Sequence, residues 1–145
     1  MRSKKIVDQF ACVANSSTYS TAVVLTAGFV GVAADGGGAT VPGEDMGFPS
    51  TGTAVLACYT SAVTLASTGS TLVYQTSVNY YSQTVAGNSP TYVTEQVILN
   101  GASDISAITD LQYFDKVPLG EAVRLGWIST HTSDAGTVSA YLLST

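Results

Sequence analysis

Apolar and polar residues alternate in several short runs of this chain, and most of the runs end where glycine, proline, asparagine or serine collect. In TLVYQTSVNYY, residues 71–81, Leu72, Tyr74, Thr76, Val78 and Tyr80 alternate with Val73, Gln75, Ser77 and Asn79, and the first set is the more apolar. TAVLACYTSAVTLA, residues 53–66, spaces Val55, Ala57, Tyr59, Val63 and Leu65 at the strand period. TYVTEQVIL, residues 91–99, is expected to turn Val93, Val97 and Leu99 inward. Near the end, Val123, Leu125 and Trp127 alternate with Arg124, Gly126 and Ile128, and after HTSDAG the same pattern returns in Val138, Ala140 and Leu142. A period of two is that of a strand with one buried face.

Between the runs, STGS (67–70) and HTSDAG (131–136) read as hairpin turns, so the chain is expected to close on a β-hairpin. Residues 83–91, QTVAGNSPT, form another connection, and DGGGATVPGEDMGFPSTG (35–52) is the longest loop. Residues 103–114 also show a partial helical period through Ile105, Ile108 and Leu111, which leaves a short helix and a strand both open there. The count is about seven or eight strands joined by turns rather than by long helices, the pattern of an all-β, antiparallel β-sandwich. A jelly-roll-like order is expected, with an immunoglobulin-like order as the alternative. A single sandwich domain over 6–145 would follow a basic N-terminal arm at 1–5.

Composition sharpens this picture. Of 145 residues, 46% are apolar and only 10% charged, so the polar surface falls to 17 serines and 19 threonines. Arg2, Lys4 and Lys5 are three of the five basic residues, while all ten carboxylates lie beyond residue 5. A body with only Lys116 and Arg124 as cations is a poor match for a phosphate backbone or an anionic membrane surface, so neither nucleic acid nor membrane is an expected partner. Asp8, Gln9 and Asn15 interrupt the apolar stretch behind the basic tip, and no cleaved signal peptide is expected. In a reducing compartment Cys12 and Cys58 are then expected as buried free thiols.

Catalytic chemistry finds little support. His131 is the only histidine, and its neighbours Ser133 and Asp134 lie too close along a turn for triad geometry. GFPSTG (47–52) has its serine one place too late for a nucleophile elbow. Carboxylate pairs drawn from Glu44, Asp45, Glu95 and Asp104 carry no distance information, and Asp35, Glu44 and Asp45 match no calcium-loop spacing. No catalytic residue, metal site or cofactor is expected. Recognition is the better use of eight tyrosines, with Tyr80, Tyr81 and Tyr92 near strand ends and Arg2, Lys4 and Lys5 at the tip as candidate interaction residues.

AVRLGWISTHTSDAGTVSAYLLS, residues 122–144, resembles the closing hairpin of small β-sandwich virion accessory proteins of tailed bacteriophages. The resemblance covers this stretch and the composition, and it carries over no site residues. It implies a capsid decoration or cement protein on the virion exterior. Such a protein would be made in the host cytoplasm, assemble as a homotrimer, and bind the major capsid protein. Two other readings stay open: an exported, disulfide-bonded pilin-like fibre subunit, and a glycan-binding module or tail receptor-binding domain.

Overall fold

A computed structural model describes residues 3–25, 51–66, 69–101 and 108–144. Arg2, the acidic loop with Asp35, Glu44 and Asp45, residues 103–107, and Ser67 and Thr68 of the STGS turn lie outside the described residues. The elements are β1 (Ser3–Ala11), β2 (Ser17–Tyr19), β3 (Val23–Val24), β4 (Thr53–Thr64), β5 (Thr71–Ser77), α1 (Tyr80–Val85), β6 (Val93–Asn100), β7 (Ile108–Pro118), β8 (Ala122–Ile128) and β9 (Ala135–Leu143). They form two antiparallel sheets, one in the order β1-β9-β4-β7 and the other in the order β2-β8-β5-β6, with β3 also on β8. The molecule is thus the expected all-β sandwich.

β2 and β3 pair with successive parts of β8 and act as one interrupted row. Ser20 bridges the interruption: its hydroxyl accepts the Leu125 N–H at 2.8 Å and its own N–H donates to the Leu125 carbonyl at 3.0 Å. With that row counted once, the pairings nest, β1 with β9, β2/β3 with β8, β4 with β7 and β5 with β6.

The closing strands behave as their alternation predicts, with Val123, Leu125, Trp127, Val138, Ala140 and Leu142 all buried. They do not form a hairpin, however. β8 belongs to one sheet and β9 to the other, so HTSDAG carries the chain across the sandwich. The same correction holds for the connection between β4 and β5. Alternation reports which face is buried, and that face is the same whether the next strand returns beside its predecessor or opposite it.

Bulges account for two further departures, and the N-terminal tip is a third. On β4 Ala54, Leu56, Ala57, Cys58, Thr60 and Val63 are buried, as is Leu65 just beyond the strand, whereas Tyr59 is exposed. A register irregularity between Thr60 and Val63, with Ala62 at φ 51°, switches the inward parity and so breaks the single face expected through residues 55–65. Gly136 faces this bulge, where a Cβ would lie 2.6 Å from the Val63 Cα, so no side chain fits. On β6 the pairing jumps from Leu72↔Leu99 to Val73↔Val97, which buries both Ile98 and Leu99 and leaves Val93 and Val97 exposed rather than inward. Ser3, Lys4 and Lys5, read from the sequence as an arm, are the first residues of β1 and pair with Leu143, Leu142 and Tyr141.

Of the two readings left open at 103–114, the described part takes the strand: Ile108 onward is β7, paired along β4. The described helix instead spans Tyr80–Val85, where strand alternation had been expected to continue to Tyr81. Gly87 at φ 83° follows it closely.

One core cluster draws side chains from both sheets, including Leu56, Cys58, Val63, Leu72, Tyr74, Leu125, Trp127 and Leu142. Six connections cross between the sheets: β1 to β2, β3 to β4, β4 to β5, β6 to β7, β7 to β8 and β8 to β9. A network around Asp134 ties together four of them, β1 to β2, β4 to β5, β6 to β7 and β8 to β9. The Asp134 carboxylate accepts the Ala66 N–H at 2.7 Å, the Ser129 hydroxyl at 2.7 Å and the Ser70 hydroxyl. Ser129 in turn accepts the Asn15 N–H at 2.8 Å, and the Ser70 carbonyl accepts the Gly101 N–H at 2.9 Å. The Trp127 indole N–H donates to the Val13 carbonyl at 2.9 Å, pinning the first crossing to the core.

Burial alone would push the Asp134 carboxyl up; the hydrogen bonds from Ser70, Ala66 and Ser129, with His131 nearby, outweigh it and hold the group below its usual range. Charged hydrogen bonds of this kind are individually worth about 1.5–3 kcal/mol. Asp134→Ala should therefore lower unfolding free energy at pH 7 by about 3 kcal/mol, measured by urea denaturation. Because the folded carboxyl is the more acidic, its contribution is complete above the unfolded value of about 3.9 and fades as pH falls toward the folded value. The gap between wild type and variant should accordingly narrow below about pH 4.

Candidate functional site

Sequence reasoning passed over the most organised polar arrangement on the surface, which lies on the outer face of the sheet containing β8. Inward parity on β8 belongs to Val123, Leu125 and Trp127, so Arg124 points outward between them. Its guanidinium carbon sits 3.7 Å from the centroid of the Tyr92 ring and 4.0 Å from that of Tyr19. The Arg124 Nε donates to Gln75 Oε1 at 2.9 Å, and Gln75 Nε2 donates to Thr94 Oγ1 at 3.3 Å. Gly126 makes the arrangement possible: a Cβ there would lie 3.1 Å from the Tyr19 ring, which instead lies against bare backbone.

The three tyrosines picked from the sequence gather near this stack. Tyr80 and Tyr81 meet edge to face, with centroids 5.9 Å apart and planes at 86°. The Tyr81 hydroxyl donates to the Leu25 carbonyl at 3.0 Å and its N–H donates to Glu121 Oε1 at 2.8 Å, which fastens α1 to the body. Burial first, then Glu121 and Tyr80, raise the Tyr81 hydroxyl pKa. Burial also raises that of Tyr92, against the opposing pull of Arg124. For Arg124 itself burial lowers the pKa while both tyrosines act the other way, and no carboxylate takes part among the described residues.

Lys4 and Lys5 lie on the other sheet, far from the tyrosine group in topology. Lys5 is exposed opposite Tyr141 at the edge of an outer face where Tyr59, Leu111 and Tyr113 are 49%, 51% and 60% exposed. The register lays Tyr141, Ala57 and Tyr113 side by side across β9, β4 and β7, and Ser139, Tyr59 and Leu111 in an adjacent row. Asp8 Oδ1 accepts the Ser139 hydroxyl at 2.9 Å, so its carboxylate is engaged at the margin of the face.

His131 is exposed, and its Nδ1 accepts the Ser133 N–H at 3.0 Å, whereas Asp134 turns inward to Ser70 and Ser129. The three do not form a relay. Glu95 accepts the Thr76 hydroxyl at 2.9 Å. Among the described residues no three His, Cys, Asp or Glu side chains come together as metal ligands, and no helix is long and apolar enough to cross a membrane. Cys12 and Cys58 are buried and free, and burial pushes each thiol up to about 12, with Asp134 adding to the effect at Cys12.

Two outcomes follow. At pH 8 the native protein should react with a disulfide reagent at neither thiol on the minute scale, and both should react in denaturant. In a double-mutant cycle, Arg124→Met and Tyr92→Leu should couple by about 0.5–1 kcal/mol, read from chemical denaturation. Among known proteins, no family model matches the chain, and neither a curated protein nor a solved structure matches it significantly.

Proposed function

We propose that this is a structural virion protein, a capsid decoration or cement protein that docks on the outer capsid surface through the outer face of the β1-β9-β4-β7 sheet. The observation that carries the reading is the group of exposed Tyr59, Leu111 and Tyr113 beside Tyr141 on one outer face. Tyrosines on a rigid sheet bury large areas with little rotamer freedom to lose, while their hydroxyls meet polar atoms at the rim. The nested pairing of strands supports naming the roll a jelly roll, a compact architecture common in capsid proteins. The resemblance of residues 122–144 to phage accessory proteins points the same way, although those residues cross between sheets instead of forming a hairpin.

In this reading the partners are the major capsid protein and two further copies of this chain. Edge strand β7 carries Leu111 and Tyr113 together with the exposed Asp110, Asp115 and Lys116, so a neighbour packed against the face also covers this edge. The free, buried thiols speak against the pilin-like alternative, whose subunits use a disulfide.

The test is co-sedimentation with purified particles at a fixed ratio to coat protein, together with analytical ultracentrifugation of the free chain. Tyr59→Glu with Tyr113→Glu should weaken particle binding at least about 30-fold, roughly 2 kcal/mol, because the new charges are desolvated at the contact. Both side chains are exposed, so thermal stability should hardly change. A stable monomer that binds no particle would end the proposal.

A further inference from the structure

Arg124 presents an unusual combination for a chain with so few cations: it is held on both faces and at one edge, yet among the described residues it is paired with no charge. Tyr19 and Tyr92 cover the two faces of the guanidinium, and Gln75 occupies Nε. The terminal nitrogens make no hydrogen bond among the described residues and are not sealed from solvent. What stays open is the in-plane edge from which a guanidinium donates two parallel hydrogen bonds, the geometry that a carboxylate matches. Stacking has already removed the rotamer freedom that a long side chain loses on binding, so the group is organised in advance.

From this geometry we infer that the Tyr19–Arg124–Tyr92 stack is a recognition site for a carboxylated pyranose, a hexuronic acid residue of a glycan, with Arg124 gripping the carboxylate. The surroundings favour a sugar over a protein's acidic side chain. A lone carboxylate needs only the guanidinium, whereas here phenols, the Gln75 amide and the Thr94 hydroxyl surround it, groups suited to sugar hydroxyls. Tyr19 remains 44% exposed and offers ring surface to the C–H face of a pyranose. The Tyr92 phenol is protonated at neutral pH, as any tyrosine of ordinary or raised pKa is, and is therefore a donor. Tyr80 acts electrostatically on Tyr92 and sits at the margin of the same patch. The site lies on the sheet opposite the proposed capsid-facing surface and does not depend on that reading; on a particle it would face outward.

The test is a titration of the full chain, followed by backbone amide NMR, with methyl β-D-glucuronide, methyl β-D-glucoside and sodium acetate. The expected result is millimolar binding of the glucuronide, at least about 10-fold tighter than either control. Shifts should centre on Gly126, Arg124 and Gln75. Arg124→Lys keeps the charge but loses the paired donors, and should weaken glucuronide binding at least about 10-fold while the remaining spectrum and the melting temperature stay close to wild type. Tyr19→Leu, at an exposed position, should weaken it by a smaller factor. Acetate binding as tightly as the glucuronide would overturn the sugar assignment in favour of a protein carboxylate. No shift around Arg124 at 100-fold excess, or an Arg124→Lys variant that binds like wild type, would overturn the site itself.

Discussion

A carboxylate taken out of water must find donors, and Asp134 finds them in a main-chain N–H and a hydroxyl from the β4–β5 crossing and a second hydroxyl from its own crossing. Through Ser129 and Ser70 the same network reaches the crossings at Asn15 and Gly101. Two sheets packed through aliphatic side chains alone are free to slide, because hydrophobic contact is not directional. Hydrogen bonds to a buried ion are directional, and this group binds all four crossings at one end of the sandwich. The relative placement of the sheets, and hence of everything displayed on their outer faces, depends on it.

Beneath that knot the core is mainly aliphatic, with Leu56, Leu125 and Leu142 shielded completely and the buried Trp127 and Tyr74 each donating to a main-chain carbonyl. What shapes the faces is a set of strand irregularities. Gln9, Ala62 and Lys116 all take positive φ without being glycine, an energetically unfavourable backbone that sandwich packing must maintain. On β4 the bulge lets Tyr59 point outward while Val63 still reaches the core, and on β6 it lets Val97 face out beside the buried Ile98. The two outer faces consequently differ in chemistry. One presents exposed phenols and an aliphatic group on a sheet whose edge strands also carry Lys5, Asp8 and Asp115, a mixture suited to protein contact. The other centres on a single stacked cation with hydroxyls and an amide around it.

That division gives each sheet its own work in the proposed function. A particle-bound protein has an inner surface that must complement coat subunits and an outer one that meets whatever the particle meets. Short Ser and Thr side chains over the remainder of the surface lose little entropy at close contacts, which fits a protein whose partners surround it.

Alternation along the chain was enough to establish the all-β class and the buried sides of β8 and β9, and apolar neighbours were enough for the burial of both cysteines, because these follow from local period and local apolarity. The sequence could not reveal that β8 and β9 part company into different sheets, since a strand buries the same side chains in either case. Nor could it reveal the shifts of parity in β4 and β6, where a single extra residue between paired partners inverts the face. Arg124 was visible as one of two cations in the body, and its outward parity was legible. Its placement between Tyr19 and Tyr92 was not, because those rings arrive from distant strands. Which residues alternate is a property of neighbours along the chain, while which residues meet is set by pairing across sheets, and only the folded structure decides that.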